Sequence, residues 1–224
     1  MLESLFGGQL PKLVIFDLDG TLLDSVPDLA AAVDSMLLGL GRPSAGVERV
    51  RDWVGNGSMV LVRRALAGSI EHASVDEKEA KLAHQAFLQA YSGGHELTTL
   101  YPGVTAFLNA LQQHGVLMAV ATNKPERFVA PLLEEKGLLG YFRWLVGGDT
   151  LPVQKPDPAA LHWIMQEAGV AVADTLFIGD SRNDVLAGQA AGVKVVAVSY
   201  GYNHGRPVSL ENPDLLVDSL DVLI

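Results

Sequence analysis

The sequence predicts an α/β fold, a doubly wound parallel sheet carrying an inserted all-helical domain, on three observations. Five short apolar runs rich in β-branched residues lie at 13–16, 117–121, 144–146, 176–178 and 193–198. Amphipathic helical patterns separate the last four, and strands alternating with helices give a parallel sheet covered on both faces. Between Asp24 and Leu100 the alternation stops and only helical patterns appear.

Taken in order, the run at 13–16 is the first strand. The interval after it holds four helical patterns, "DLAAAVDSMLLGLG", "GVERVRDWVG", "SMVLVRRALAG" and "DEKEAKLAHQAFLQAYSG". The expected organisation is therefore a core of residues 1–24 and 99–224 with a helical cap at 25–98. "GVTAFLNALQQHG" leads to the second strand. "PERFVAPLLEEKG", "DPAALHWIMQEAG" and "NDVLAGQAAG" then separate the remaining ones, each closed by a glycine as helix C-termini favour. The final alternation "DLLVDSLDVLI" fits an edge strand or a closing helix.

Composition narrows the function. The chain has 224 residues, 49% of them hydrophobic, no cysteine and a formal net charge of -10. Nucleic acids and anionic membranes need basic stripes that no segment supplies, so neither is an expected partner. Without cysteine there is no disulfide, thiolate metal site or cysteine nucleophile. The opening "MLESLFGGQLPK" lacks the marks of a secretory signal, and no apolar run reaches the roughly 18 residues of a membrane span. A cytoplasmic address and a monomer or homodimer are the expectations.

Polar residues gather where the strands end. The first strand runs into Asp17 and Asp19, the second into Thr122, Asn123 and Lys124, and the fourth into Gly179, Asp180 and, one turn later, Asp184. "QKPDP", with Lys155, follows the third. Open parallel sheets bind ligands outside the carboxyl ends of their strands, so four segments converge on one rim. Three or more carboxylates held together repel, and a divalent cation resolves the conflict. All-oxygen ligation favours Mg²⁺, which keeps waters for a phosphorylated substrate. Thr122 offers a hydroxyl, Lys155 an ammonium, and Gly20 a close backbone approach. A carboxylate, with an ordinary pKa of about 3.9, needs no base before attacking a phosphate monoester. A second carboxylate can then protonate the leaving alkoxide and later take a proton from water.

These segments resemble the motifs of the haloacid dehalogenase superfamily of phosphohydrolases: "DLDGT" from Asp17, "ATN" ending at Asn123, "KP" at Lys155 and "GDSRND" ending at Asp184, in order and across almost the whole chain. The resemblance implies a Rossmann-like core and a helical cap of the C1 type. It also implies Asp17 as nucleophile and Asp19 as general acid and base, with Thr122, Asn123 and Lys155 around the phosphoryl group. Mg²⁺ would be held by Asp17, the Asp19 backbone carbonyl and Asp180, with Asp184 in support. The superfamily's dehalogenases lack the second aspartate of the first motif, so Asp19 points to phosphate chemistry. "DSVPDLAAAVD", "WVGNG", "TNKP", "GDSRNDVLAGQAAG" and "YGYNHG" are similar to the bacterial phosphoglycolate phosphatases. That likeness implies hydrolysis of a small phosphorylated metabolite, 2-phosphoglycolate, with Asn56 and Arg63 or Arg64 of the cap as candidate readers of its carboxylate. A sugar phosphomutase or another small-metabolite phosphatase shares the core motifs, and a phospho-acceptor domain shares the aspartate cluster and lysine.

Overall fold

A computed structural model describes residues 1–223. Six strands form one parallel sheet in the order β5-β4-β1-β6-β7-β8: β1 Leu13–Phe16, β4 Leu117–Ala121, β5 Trp144–Val146, β6 Thr175–Gly179, β7 Lys194–Val198 and β8 Leu215–Val217. β1 is central, with Leu13 in register with Leu117 on one side and Thr175 on the other. The chain moves outward from β1 through β4 to β5, then returns to β6 and builds β7 and β8 on the opposite flank. Strand order thus reverses at β1, where a doubly wound sheet opens its ligand crevice.

Every residue of β1 is buried, as a strand covered on both faces must be. Its side chains alternate between two cores. Val14 and Phe16 pack with Phe107, Leu108 and Leu111 of α6 (Val104–Gln113) and Leu132 of α7 (Val129–Glu135). Leu13 and Ile15 face Leu161 and Ile164 of α8 (Ala159–Ala168) and Ala187 of α9 (Arg182–Ala191).

The stretch after β1 folds as four helices, α2 (Val26–Gly39), α3 (Val47–Trp53), α4 (Ser58–Ala67) and α5 (Glu77–Tyr91). They enclose their own apolar cluster, including Val33, Met36, Trp53, Val62 and Phe87. Phe128 and Tyr202 join that cluster from the core side. Two-residue strands, β2 (Leu23–Asp24) and β3 (Thr99–Leu100), pair antiparallel where the chain leaves and re-enters the core. They are too short for sequence periodicity to register, as is the N-terminal turn of helix α1 (Leu2–Leu5). The final alternation holds both expected elements in tandem: β8 at the sheet edge, then a 3₁₀ turn at Leu220–Leu223 packed on the core. Ile224 lies outside the described residues. Among those residues, no helix is long and apolar enough to cross a membrane.

Candidate active site

Asp17 continues β1, its N–H donating to Ile178 O at 2.9 Å, so its carboxylate sits at the reversal of strand order. Gly20 then turns the backbone at φ 95°, a conformation that costs glycine little. The turn also needs the missing side chain: a Cβ at Gly20 would overlap Asp180 Oδ2. Asp19 lies between the two, at the mouth of the turn.

β6 delivers Asp180, and the first turn of α9 delivers Asp184. Carboxylate oxygens of Asp17, Asp180 and Asp184 lie within 4.8 Å of one another, and all three residues are buried. Burial pushes the Asp17 carboxyl up to about 6, the Lys155 ammonium pulling the other way and Asp184 and Asp19 adding to the rise. Burial, with Asp184 and Asp17 beside it, likewise holds Asp180 well above the usual carboxylate range. Such strained, all-oxygen groups fit a divalent cation, which would neutralise charges the protein alone leaves in conflict.

The other carboxylate contacts are fixed by the chain. Asp180 accepts from Thr21 Oγ1 at 3.0 Å and from the Tyr202 N–H at 2.6 Å. Asp184 Oδ2 accepts from the Asp180 and Ser181 N–H groups and from Ser181 Oγ, forming a capping box at the start of α9. Its Oδ1 accepts from Lys155 Nζ at 2.6 Å. Asp184 therefore both caps α9 and holds the Lys155 ammonium.

Lys155 Nζ lies 2.8 Å from Asp17 Oδ1, bridging Asp17 and Asp184. Burial alone would lower its pKa, but the two carboxylates more than offset this and raise it above the ordinary lysine range. A second buried ammonium, Lys124, stands 3.1 Å from Asp19 Oδ1 and 2.6 Å from the hydroxyl of Tyr91 on α5. It too is raised, because Asp19 and Tyr91 outweigh its desolvation. Thr122 lines the same cavity, its Oγ1 accepting from the Lys124 N–H at 3.2 Å.

Asn123 also borders the cavity, but its amide is committed. Nδ2 donates to Gly55 O and Lys155 O, each at 3.0 Å, and Oδ1 accepts from the Lys155 N–H. Asn123 thus ties the Lys155 loop to the α3–α4 connection. The structure does not bring Asn56 and Arg63 into the cavity. Asn56 Oδ1 accepts from buried Arg64, which also donates to Trp53 O and so staples the 53–56 loop. Arg63 pairs with Glu77 and donates to Val75 O on the far side of α4. Helical spacing alone could not say which of the adjacent arginines faced inward.

The same cavity is also lined by the apolar side chains of Leu29, Leu61, Phe87 and Phe128. Sequence reasoning missed two contributors. Tyr91 carries no signal beyond a helical apolar period. Tyr202 stands in "YGYNHG", which by pattern reads as packing; its N–H instead holds Asp180, while its hydroxyl donates to Asp24 at 2.5 Å. The arrangement pairs two aspartates, each with its own lysine, beside a candidate cation site and beneath an apolar roof.

A family model described as haloacid dehalogenase-like hydrolase matches residues 11–192. A phosphoglycolate phosphatase of Pseudomonas fluorescens (strain Pf0-1) is 63% identical over 99% of this chain and 82% of its own length. Phosphoglycolate phosphatase 1 of Pseudomonas aeruginosa is 61% identical over the same shares. The crystal structure of a predicted phosphoglycolate phosphatase from Haemophilus somnus 129pt superposes with a TM-score of 0.89 at 38% identity, covering 95% of this chain and 96% of that one. With the four motif segments meeting at one rim and the family model spanning them, the chain belongs to the haloacid dehalogenase-like hydrolases.

Proposed function

We propose that this protein is a Mg²⁺-dependent phosphatase that hydrolyses 2-phosphoglycolate to glycolate and phosphate through a phosphorylated Asp17. The observation that carries the reading is the pairing of Asp17 with Lys155 and Asp19 with Lys124 at a single rim, in a chain 61–63% identical to phosphatases named for that substrate. The same cavity carries Thr122 and Lys155 beside Asp17, the groups a phosphoryl moiety would need.

In this reading Asp17 attacks phosphorus in line with the ester oxygen. Lys155 offsets the repulsion between the two anions, and the Thr122 hydroxyl donates to a phosphoryl oxygen. Asp19 gives a proton to the departing alkoxide and then takes one from the water that opens the acyl phosphate. Asp17, the Asp19 carbonyl and Asp180 would hold Mg²⁺, which when bound stabilises charge on the phosphoryl oxygens. Asp184 and Asn123 act one step back by holding Lys155. The helices α2–α5 serve as a cap, with domain boundaries at 24/25 and 98/99 where β2 and β3 pair.

The test is phosphate release from 2-phosphoglycolate, glucose phosphates and nucleotides, with and without EDTA. The expected result is fastest release from 2-phosphoglycolate, stopped by EDTA and restored by Mg²⁺. Turnover that persists under chelation would refute the metal assignment. Movement of phosphate between sugar hydroxyls without release would replace hydrolysis by a mutase reaction.

A further inference from the structure

We propose that Lys124 is a positioning residue: across the seam between the core and α5 it fixes the Asp19 carboxylate toward the leaving group, and Tyr91 holds Lys124 in place. The inference rests on the phosphatase reading above. It goes beyond that reading by giving the proton-transfer group a dedicated anchor in the helical insert.

Asp19 needs such an anchor. It sits on the turn after β1 rather than within the ladder, with its side chain partly exposed to the cavity. Among the described residues, Lys124 supplies the only hydrogen bonds to its carboxylate, at 3.1 and 3.3 Å to the two oxygens. Asp17 and Asp180, by contrast, are each held by neighbours within the core.

Lys124 in turn needs fixing, because a lysine ammonium rides on a flexible four-carbon stem. Tyr91 provides this twice. Its hydroxyl accepts from Nζ at 2.6 Å, and its ring centroid lies 4.6 Å from the same ammonium. The ring is itself clamped, edge to face with Phe128 at 5.1 Å and His95 at 4.6 Å, and stacked on Phe87 at 5.8 Å. A continuous path therefore runs from the apolar cluster of the helical insert through Tyr91 and Lys124 to Asp19. Tyr91 of α5 is thus part of the support of the Asp19 carboxylate. An alternative role for Lys124, direct binding of the substrate carboxylate, leaves a different kinetic trace.

The experiment is a double-mutant cycle on 2-phosphoglycolate with Mg²⁺, comparing Lys124→Met and Tyr91→Phe in the wild-type and Asp19→Asn backgrounds. Tyr91→Phe keeps the ring and its packing, so it serves if Lys124→Met fails to fold. In the wild-type background Lys124→Met is expected to lower kcat about 100-fold, the low end of a general-acid contribution, and Tyr91→Phe about tenfold. KM should stay within roughly threefold in both. With Asp19 already replaced, each should cost less than about threefold more, because the group they position is gone. Losses that multiply in the Asp19→Asn background, a loss carried by KM, or wild-type kcat in both variants would overturn the proposal. A wild-type protein that releases no phosphate from 2-phosphoglycolate is a separate outcome, seen before any variant is made, and removes the proposal together with the reading it rests on.

Discussion

Asp17 and His95 show how burial acts on single residues here. Replacing Asp17 by Asn keeps volume and removes the proposed nucleophile. Activity should fall by a factor on the order of 10⁴ to 10⁶, while circular dichroism and melting temperature hold steady or improve as carboxylate repulsion is relieved. His95 is buried between Tyr91 and Phe128, and burial, helped by the nearby Lys124 charge, lowers its pKa despite Glu135 at 3.5 Å. An imidazole whose folded pKa is depressed binds its proton first in the unfolded chain. Its contribution to stability is thus intact above the ordinary value of about 6.5 and lost as pH falls through that value toward the lower folded one. Asp17, raised to about 6 without metal, has the opposite slope, so the two are best separated by difference. His95→Phe should gain melting temperature relative to the parent as pH is lowered from 7.5 to 5.5. A constant difference across that range would contradict the assignment.

Elements take their positions from close approaches as much as from hydrophobic faces. Gly188 lets α9 sit directly on β7, where an added Cβ would overlap Val195 Cγ2. Gly188→Ala should therefore destabilise by about 1–3 kcal/mol in urea denaturation, although alanine is the better helix former on an open face. Strands β1, β4, β5, β6 and β7 were legible because each is a compact apolar run bounded by polar residues. β2 and β3 were not, because two-residue strands have no period. The rim was legible for the same reason as the strands: Asp17, Thr122, Lys155 and Asp180 each follow the end of one. Tyr91 and Tyr202 escaped because their contacts join segments far apart in sequence, and no spacing along the chain encodes which face of α5 turns toward the core.

At the scale of the molecule, the core and the helical insert meet largely through aromatic rings. Phe128 belongs to the core in sequence but packs with the insert's cluster and stands edge to face with Tyr91. Phe128→Ala should cost about 3 kcal/mol or more in stability and loosen the seam, which limited proteolysis of the insert would register as faster cleavage. Unaltered proteolysis would show that the seam does not depend on this ring.

The reversal of strand order at β1 also sets when the pocket can first assemble during synthesis. Leu13 and Asp17 leave the ribosome well before their partners, for Leu13 pairs with Thr175, and Asp17 shares its pocket with Asp180 and Asp184. At about 5–20 residues per second, the strand that bears Asp17 waits on the order of ten seconds for its second neighbour. A nascent chain thus carries Asp17 and Asp19 long before it carries Lys155, Asp180 and Asp184, and the pocket is complete only once the segment through Asp184 has folded into place.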